Sequence, residues 1–176
     1  MKSESCTNTA LTNKQLNGFS GAFTLAEVLV ATVLIGLAIV SLVVASKAFT
    51  QVNSAAVKLT TAEFLIDQIR ELTTPLDVVD PQSGTAEFGP EMGEYLSDYD
   101  DLDDFDGTGF CPPIDASRQQ LTDLSAFTQQ ITVENVNATD FEHVVADHSS
   151  LFVRITVRIL LQNEELSSRQ WLRARY

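Results

Sequence analysis

The sequence predicts an α+β protein in which one long N-terminal helix packs on a small antiparallel β-sheet, with the first half of the helix inserted in a membrane. Three observations carry that expectation. Residues 28–46 contain no charged side chain. The residues after them keep a helical apolar spacing as far as Pro75, and residues 151–161 alternate apolar with polar side chains.

The composition looks contradictory until it is divided by position. The chain has 176 residues, with 24 Asp+Glu against 11 Lys+Arg and a net charge of −13, yet 44% of it is hydrophobic. Its mean hydropathy is slightly positive. The apolar residues concentrate in 28–46, whereas Asp77 to Asp147 holds 17 acids and one base, Arg118. Such a balance excludes nucleic acid as a partner, because no basic face is present to neutralise phosphates. The length suits one modest domain with an anchor. Cys6 and Cys111 cannot build a disulfide framework. Cys111 reads as a small buried hydrophobe rather than a ligand or nucleophile.

The apolar run, VLVATVLIGLAIVSLVVAS, is interrupted only by residues that membrane helices tolerate. At about 1.5 Å per residue its length is roughly 28 Å, close to the hydrocarbon thickness of a bilayer. A soluble core helix of this length would show a polar face, and this one shows none. A secretory signal peptide cut after Ser46-Lys47-Ala48 is a competing reading, as is a plain signal anchor. Just ahead of the run lies Glu27. A carboxylate at the edge of a membrane helix needs a cationic partner, and the nearest bases are Lys14 upstream and Lys47 at the far end. A partner on another chain would meet the need, and so would a free α-amine made by cleavage nearby.

The stretch Gly21-Ala22-Phe23-Thr24-Leu25-Ala26-Glu27-Val28-Leu29-Val30-Ala31 resembles the prepilin processing motif of type IV pilins and type II secretion pseudopilins. In that family a membrane aspartyl peptidase cuts before the Phe and methylates the new amino terminus. The Glu four residues on pairs with the amine of a neighbouring subunit. The resemblance implies a leader peptide over 1–22, cleavage between Ala22 and Phe23, N-methylation of Phe23 and a registry role for Glu27. The family places Gly directly before the cut, where this chain has Ala22 after Gly21. Gly18-Phe19 is a second junction, but no acid follows it at the family's spacing. The implied partners are the prepilin peptidase, other pilin or pseudopilin subunits and inner-membrane lipid. The implied location is the bacterial inner membrane, single-pass with the C-terminal domain outside the cytoplasm, and afterwards a pilus or pseudopilus.

Beyond the membrane half (23–47), Ala48, Val52, Ala55, Leu59, Ala62, Ile66 and Ile69 recur at spacings of four and three, which predicts an amphipathic half over 48–74. Pro75 ends it by forcing the preceding residue out of the α region. The globular region, 75–176, divides into an acidic loop (75–127) and antiparallel strands (128–176). Six aspartates stand within nine residues of the loop: Asp98, Asp100, Asp101, Asp103, Asp104 and Asp106. Such a cluster is either a solvated acidic loop or a site for calcium, which prefers oxygen ligands. The EF-hand pattern does not fit, since aligning Gly107 at the turn puts Leu102 at the first ligand position. Tyr99, Leu102 and Phe105 recur every three residues, so one side of the segment is expected to tuck into the domain. The same segment resembles the Asp-Asp-aromatic stretch of MSHA-type minor pilins.

Strands are expected at Gln129–Val136 and Leu151–Leu161, with Val153, Ile155, Val157 and Ile159 facing in. Gln162–Glu165 turns the chain into a last strand, Leu166–Arg173. The final 28 residues carry five Arg. That charge suits either contact between subunits or pairing with the acidic loop of the same chain. His143 and His148 read as solvated loop residues, and Asn137-Ala138-Thr139 as a chance match to a glycosylation acceptor. Enzyme signatures are absent from the sequence, with no nucleophile elbow, phosphate-binding glycine loop or zinc-protease motif. The expected function is that of a minor pilin or pseudopilin precursor. The alternative is a membrane-anchored extracytoplasmic module for calcium binding or adhesion.

Overall fold

The structure, a computed structural model, describes residues 22–79, 88–90 and 93–175. Most of the expected leader, residues 1–21, and the junction at Gly18-Phe19 lie outside the described residues. The chain forms two compact units, Met1–Ala48 and Phe49–Tyr176. One helix, α1 (Leu25–Thr73), is followed by β1 (Gly109–Phe110), β2 (Phe127–Asn137), β3 (Asp140–Val144), β4 (Phe152–Leu161) and β5 (Glu164–Ala174). The five strands make one antiparallel sheet in the order β1-β2-β4-β5, with β3 also paired to β2. The α+β class is therefore observed.

In the first unit the helix is long and apolar enough to cross a membrane, and its apolar window has no buried residue. Val33, Leu34, Ile35 and Leu37 are each about 60% exposed, so none of the described residues covers this surface.

The second unit is organised by the last three turns of α1. Ala62, Leu65, Ile66, Ile69 and Leu72 pack with Ile131 and Val133 of β2 and with Val153, Ile155, Val157 and Ile159 of β4. The inward alternation expected of β4 is thus met, because a period of two puts every second side chain on the face that the helix covers. The apolar stripe of α1 is shorter than its spacing implied. Val52, Ala55 and Leu59 are exposed, and burial begins at Ala62. The physical reason is reach: the β5 side chains that touch α1 meet it at Glu63, Asp67 and the Thr73–Leu76 end.

Local chemistry explains the turns and ends. Gln162 and Asn163 both have positive φ, as the two central residues of a tight hairpin turn do, and they join β4 to β5. The C-terminal end of α1 is closed by Arg173, whose guanidinium donates to the carbonyls of Thr73, Thr74 and Leu76 at 2.9–3.1 Å. Arg169 pairs with Glu63 and, at 3.7 Å, with Asp67, while Arg154 pairs with Glu134 at 2.8 Å. The C-terminal arginines therefore bind the helix and neighbouring strands of their own unit.

Three expectations are corrected. Residues 140–144 form a strand, so His143 sits on β3 and not in a loop. His148 is half-buried with both ring nitrogens sealed from solvent, because its ring packs edge-on to Phe88 at 5.6 Å. Cys111 is exposed, not buried, because the chain turns inward only after it, through half-buried Pro112 to the buried Pro113 and Ile114.

Candidate functional site

Two clusters carry the chemistry singled out from the sequence, one in each unit. At the start of α1, Ala22, Phe23 and Thr24 are exposed and non-helical, and Phe23 is 81% exposed. Thr24 caps the helix. Its hydroxyl oxygen accepts the Glu27 N–H at 3.2 Å, and the Glu27 carboxylate accepts the Thr24 N–H at 3.4 Å. This reciprocal pair is a capping box, which satisfies two main-chain donors that the first turn leaves open. Glu27 also places negative charge where the helix dipole favours it. The carboxylate thus has a partner within its own chain, which was not anticipated. The signal was present as Thr-x-x-Glu ahead of an apolar run. It was hidden because the same residues carry the processing resemblance.

In the second unit the aspartates divide by role. Asp98 closes a local turn by accepting the Tyr95 N–H at 3.2 Å. Asp106 pins the loop to β2 by accepting the Val133 N–H at 2.7 Å. The middle of the segment turns inward. Asp101, Asp103 and Asp104 are at most 2% exposed, so the expectation of a solvated loop is corrected. The cause is the apolar spacing within the same segment. Leu102 and Phe105 are fully buried in the core, Tyr99 packs edge-on to Phe105, and the interleaved acids are carried in with them.

These acids are ordered by main-chain donors. Asp104 accepts the N–H groups of Asp100 and Asp101 at 2.9 and 3.3 Å, and Asp101 returns the pattern by accepting the Asp104 N–H at 3.2 Å. Asp103 accepts the Gly89 N–H at 3.3 Å through one oxygen, while its other oxygen, Oδ1, is buried without a hydrogen-bond partner among the described residues. Ligand oxygens of Asp100, Asp101 and Asp104 all lie within 4.8 Å of one another. Burial, reinforced by the adjoining Asp103 carboxyl, raises Asp101 to about 7, and burial raises Asp104 to about 6. Asp103 is raised as well, again by burial. Burial first, then Asp104 and Glu94, raises Tyr99.

Arg118 is the functional residue that sequence reasoning passed over. It donates to the carbonyls of Leu96, Ser97 and Tyr99 at 2.5–2.9 Å, clamping the stretch that leads into the acids. Its standing as the one base in the acidic stretch was visible, but its choice of main-chain carbonyls over carboxylates was not. A scan against protein-family models, a search of curated proteins and a search of solved structures each found no match to the chain.

Proposed function

We propose that the chain is the precursor of a minor type IV pilin or type II secretion pseudopilin, a structural rather than enzymatic subunit that assembles through its N-terminal helix. The observation that carries this reading is the stretch Gly21–Ala31, in which a carboxylate occupies the first turn of a helix apolar enough to cross a membrane. In hydrocarbon an ionised Glu27 needs more than the single main-chain N–H that the capping box supplies. A cationic amine of a neighbouring subunit would neutralise it and set the axial register between helices. The apolar, uncovered surface of residues 28–46 would pack against lipid before assembly and against other helices after it. On this reading a prepilin peptidase of the inner membrane cuts between Ala22 and Phe23, where the chain is exposed and not yet helical.

Mass spectrometry of protein extracted from its native membrane tests the proposal. A chain that begins at N-methylated Phe23 is the expected result. An intact Met1 would overturn it and leave an anchored extracytoplasmic module for calcium binding or adhesion, and a chain that starts at Phe49 would overturn it by making residues 1–48 a secretory signal peptide.

The registry role makes a separable prediction. Glu27→Ala is expected to leave cleavage intact while lowering co-purification with the other subunits of the assembly by about tenfold, the range of a lost charge-assisted bond. Glu27→Gln keeps an oxygen for the Thr24 N–H but no charge, and is expected to fall as far. Unchanged recovery with the glutamine variant would assign Glu27 to capping alone.

A further inference from the structure

We propose that β5 is an interface edge at which two copies of this chain pair antiparallel, β5 to β5, into one continuous sheet centred on Gln170. The inference concerns the Phe49–Tyr176 unit and stands apart from how α1 is processed. β5 is the last strand of the sheet and is bonded on one side only, to β4. The Arg175 N–H donates to the Leu151 carbonyl at 2.7 Å, which fixes the phase of the ladder. Ser167, Arg169, Trp171 and Arg173 share that phase and turn their main-chain groups toward β4, as the register requires. Ser168, Gln170, Leu172 and Ala174 therefore turn theirs away, and no main-chain partner meets them among the described residues.

Such an edge is a template for another strand unless something blunts it. β5 is 11 residues long and carries neither Lys nor Pro. Its register shift lies beside Ile159 and Leu160 of β4, near the hairpin turn, and leaves residues 167–174 regular. Ser168, Gln170 and Leu172 are exposed along this length.

The side chains name the occupant. An antiparallel copy centred on Gln170 pairs Gln170 with itself and Ser168 with Leu172, so the outward main-chain groups of both strands meet. The same register puts Arg169 opposite Trp171 of the second copy, guanidinium beside indole, and Ser167 opposite Arg173. At the ends Glu165 reaches Arg175 of the second copy, and the two-fold axis repeats every contact. Both of these end residues are exposed, and the contact of Glu165 with Arg158 is long, at 4.0 Å. Neighbouring registers lack this match. Centring on Arg169 sets Arg169 against itself, and centring on Trp171 sets it against Arg173. Centring on Ser168 leaves Glu165 opposite Trp171, and centring on Leu172 sets Arg169 against Arg175.

The fold also states which copies can meet. Ser167 touches α1 at Glu63, Arg169 at Asp67 and Arg173 at Thr73, so β5 runs in the same sense as the helix it covers. The two-fold therefore sets those helical segments of the two copies in opposite senses. If α1 is embedded in a membrane, copies on facing surfaces satisfy that condition and neighbours side by side in one membrane do not.

Analytical ultracentrifugation of the full chain in detergent micelles, across protein concentration, tests the pairing. A reversible dimer is expected, with a dissociation constant on the order of micromolar, as suits a small interface. Gln170→Pro deletes an outward N–H at an edge where proline is tolerated, and is expected to stay folded and become monomeric. Glu165→Arg and Arg175→Glu are each expected to weaken the dimer about tenfold. Combined, the two substitutions are expected to restore it, because the swap keeps each end pair opposite in sign. That rescue needs no proline, so it decides the matter even where Gln170→Pro does not fold. A monomer at every concentration would overturn the self-pairing and leave the edge to a strand of another protein. A dimer that survives in folded Gln170→Pro, or a double variant no tighter than the single ones, would overturn it by placing the contact elsewhere, as on the uncovered surface of α1.

Discussion

Gln129→Leu is expected to destabilise the Phe49–Tyr176 unit by about 2–5 kcal/mol, although leucine has a similar volume and is the more hydrophobic residue. Gln129 is fully buried on the inward face of β2, between Phe127 and Ile131. Its amide nitrogen donates to the carbonyls of Leu65 on α1 and Ile114 in the loop, at 3.1 and 3.0 Å. Its oxygen accepts the Ile114 N–H at 2.8 Å. One side chain thus joins helix, loop and sheet. Leucine would gain apolar burial and strip partners from groups that water cannot reach, and the second effect outweighs the first because each orphaned group costs about 1–3 kcal/mol. Gln130→Leu, one residue on and facing solvent, is the matched control, expected within about 0.5 kcal/mol of the parent. Denaturant titration of the full chain in micelles, read by fluorescence of the single tryptophan, Trp171, measures both. Equal midpoints for the two variants would show that Ile114 finds other partners.

The same unit is expected to lose stability as pH rises from about 4 to about 8. Asp101 moves from an ordinary 3.8 to about 7 on folding and Asp104 to about 6, with Asp103 raised in the same direction. A carboxyl whose value is raised by folding binds its proton more tightly in the folded state than in the unfolded one. Its stabilising contribution is whole below 3.8, and it is lost as pH passes through the folded values of about 6 and 7. Salt-bridged surface carboxylates behave in the opposite sense, so the sign identifies the buried cluster. Denaturation midpoints at closely spaced pH values test this. A midpoint that climbs or stays level between pH 5 and pH 8 would show that the three aspartates are not the groups that titrate.

What was legible beforehand lay in local periodicity. The uncharged run, the end of α1 at Pro75 and the inward set of β4 are properties of neighbours along the chain, and the structure places α1 at Leu25–Thr73 and β4 at Phe152–Leu161. β3 escaped notice because its five residues are all exposed and pair with β2 at only two register positions across a bulge. Periodicity also overstated the helix stripe, since Val52 and Leu59 have the right spacing but are exposed, with no partner surface among the described residues.

The acidic segment shows the division most clearly. By itself the sequence determined that six aspartates are interleaved with Tyr99, Leu102 and Phe105, and that Glu27 stands at the head of an apolar run. Only the tertiary structure decided that three of those aspartates go inside. That outcome depends on Gly89, Arg118 and Val133, whose hydrogen bonds reach the segment from distant parts of the chain. Charge repulsion along a sequence is a local quantity and argues for solvent. Burial is set by what the apolar neighbours pack against, and here Leu102 and Phe105 drew their charged neighbours into the core.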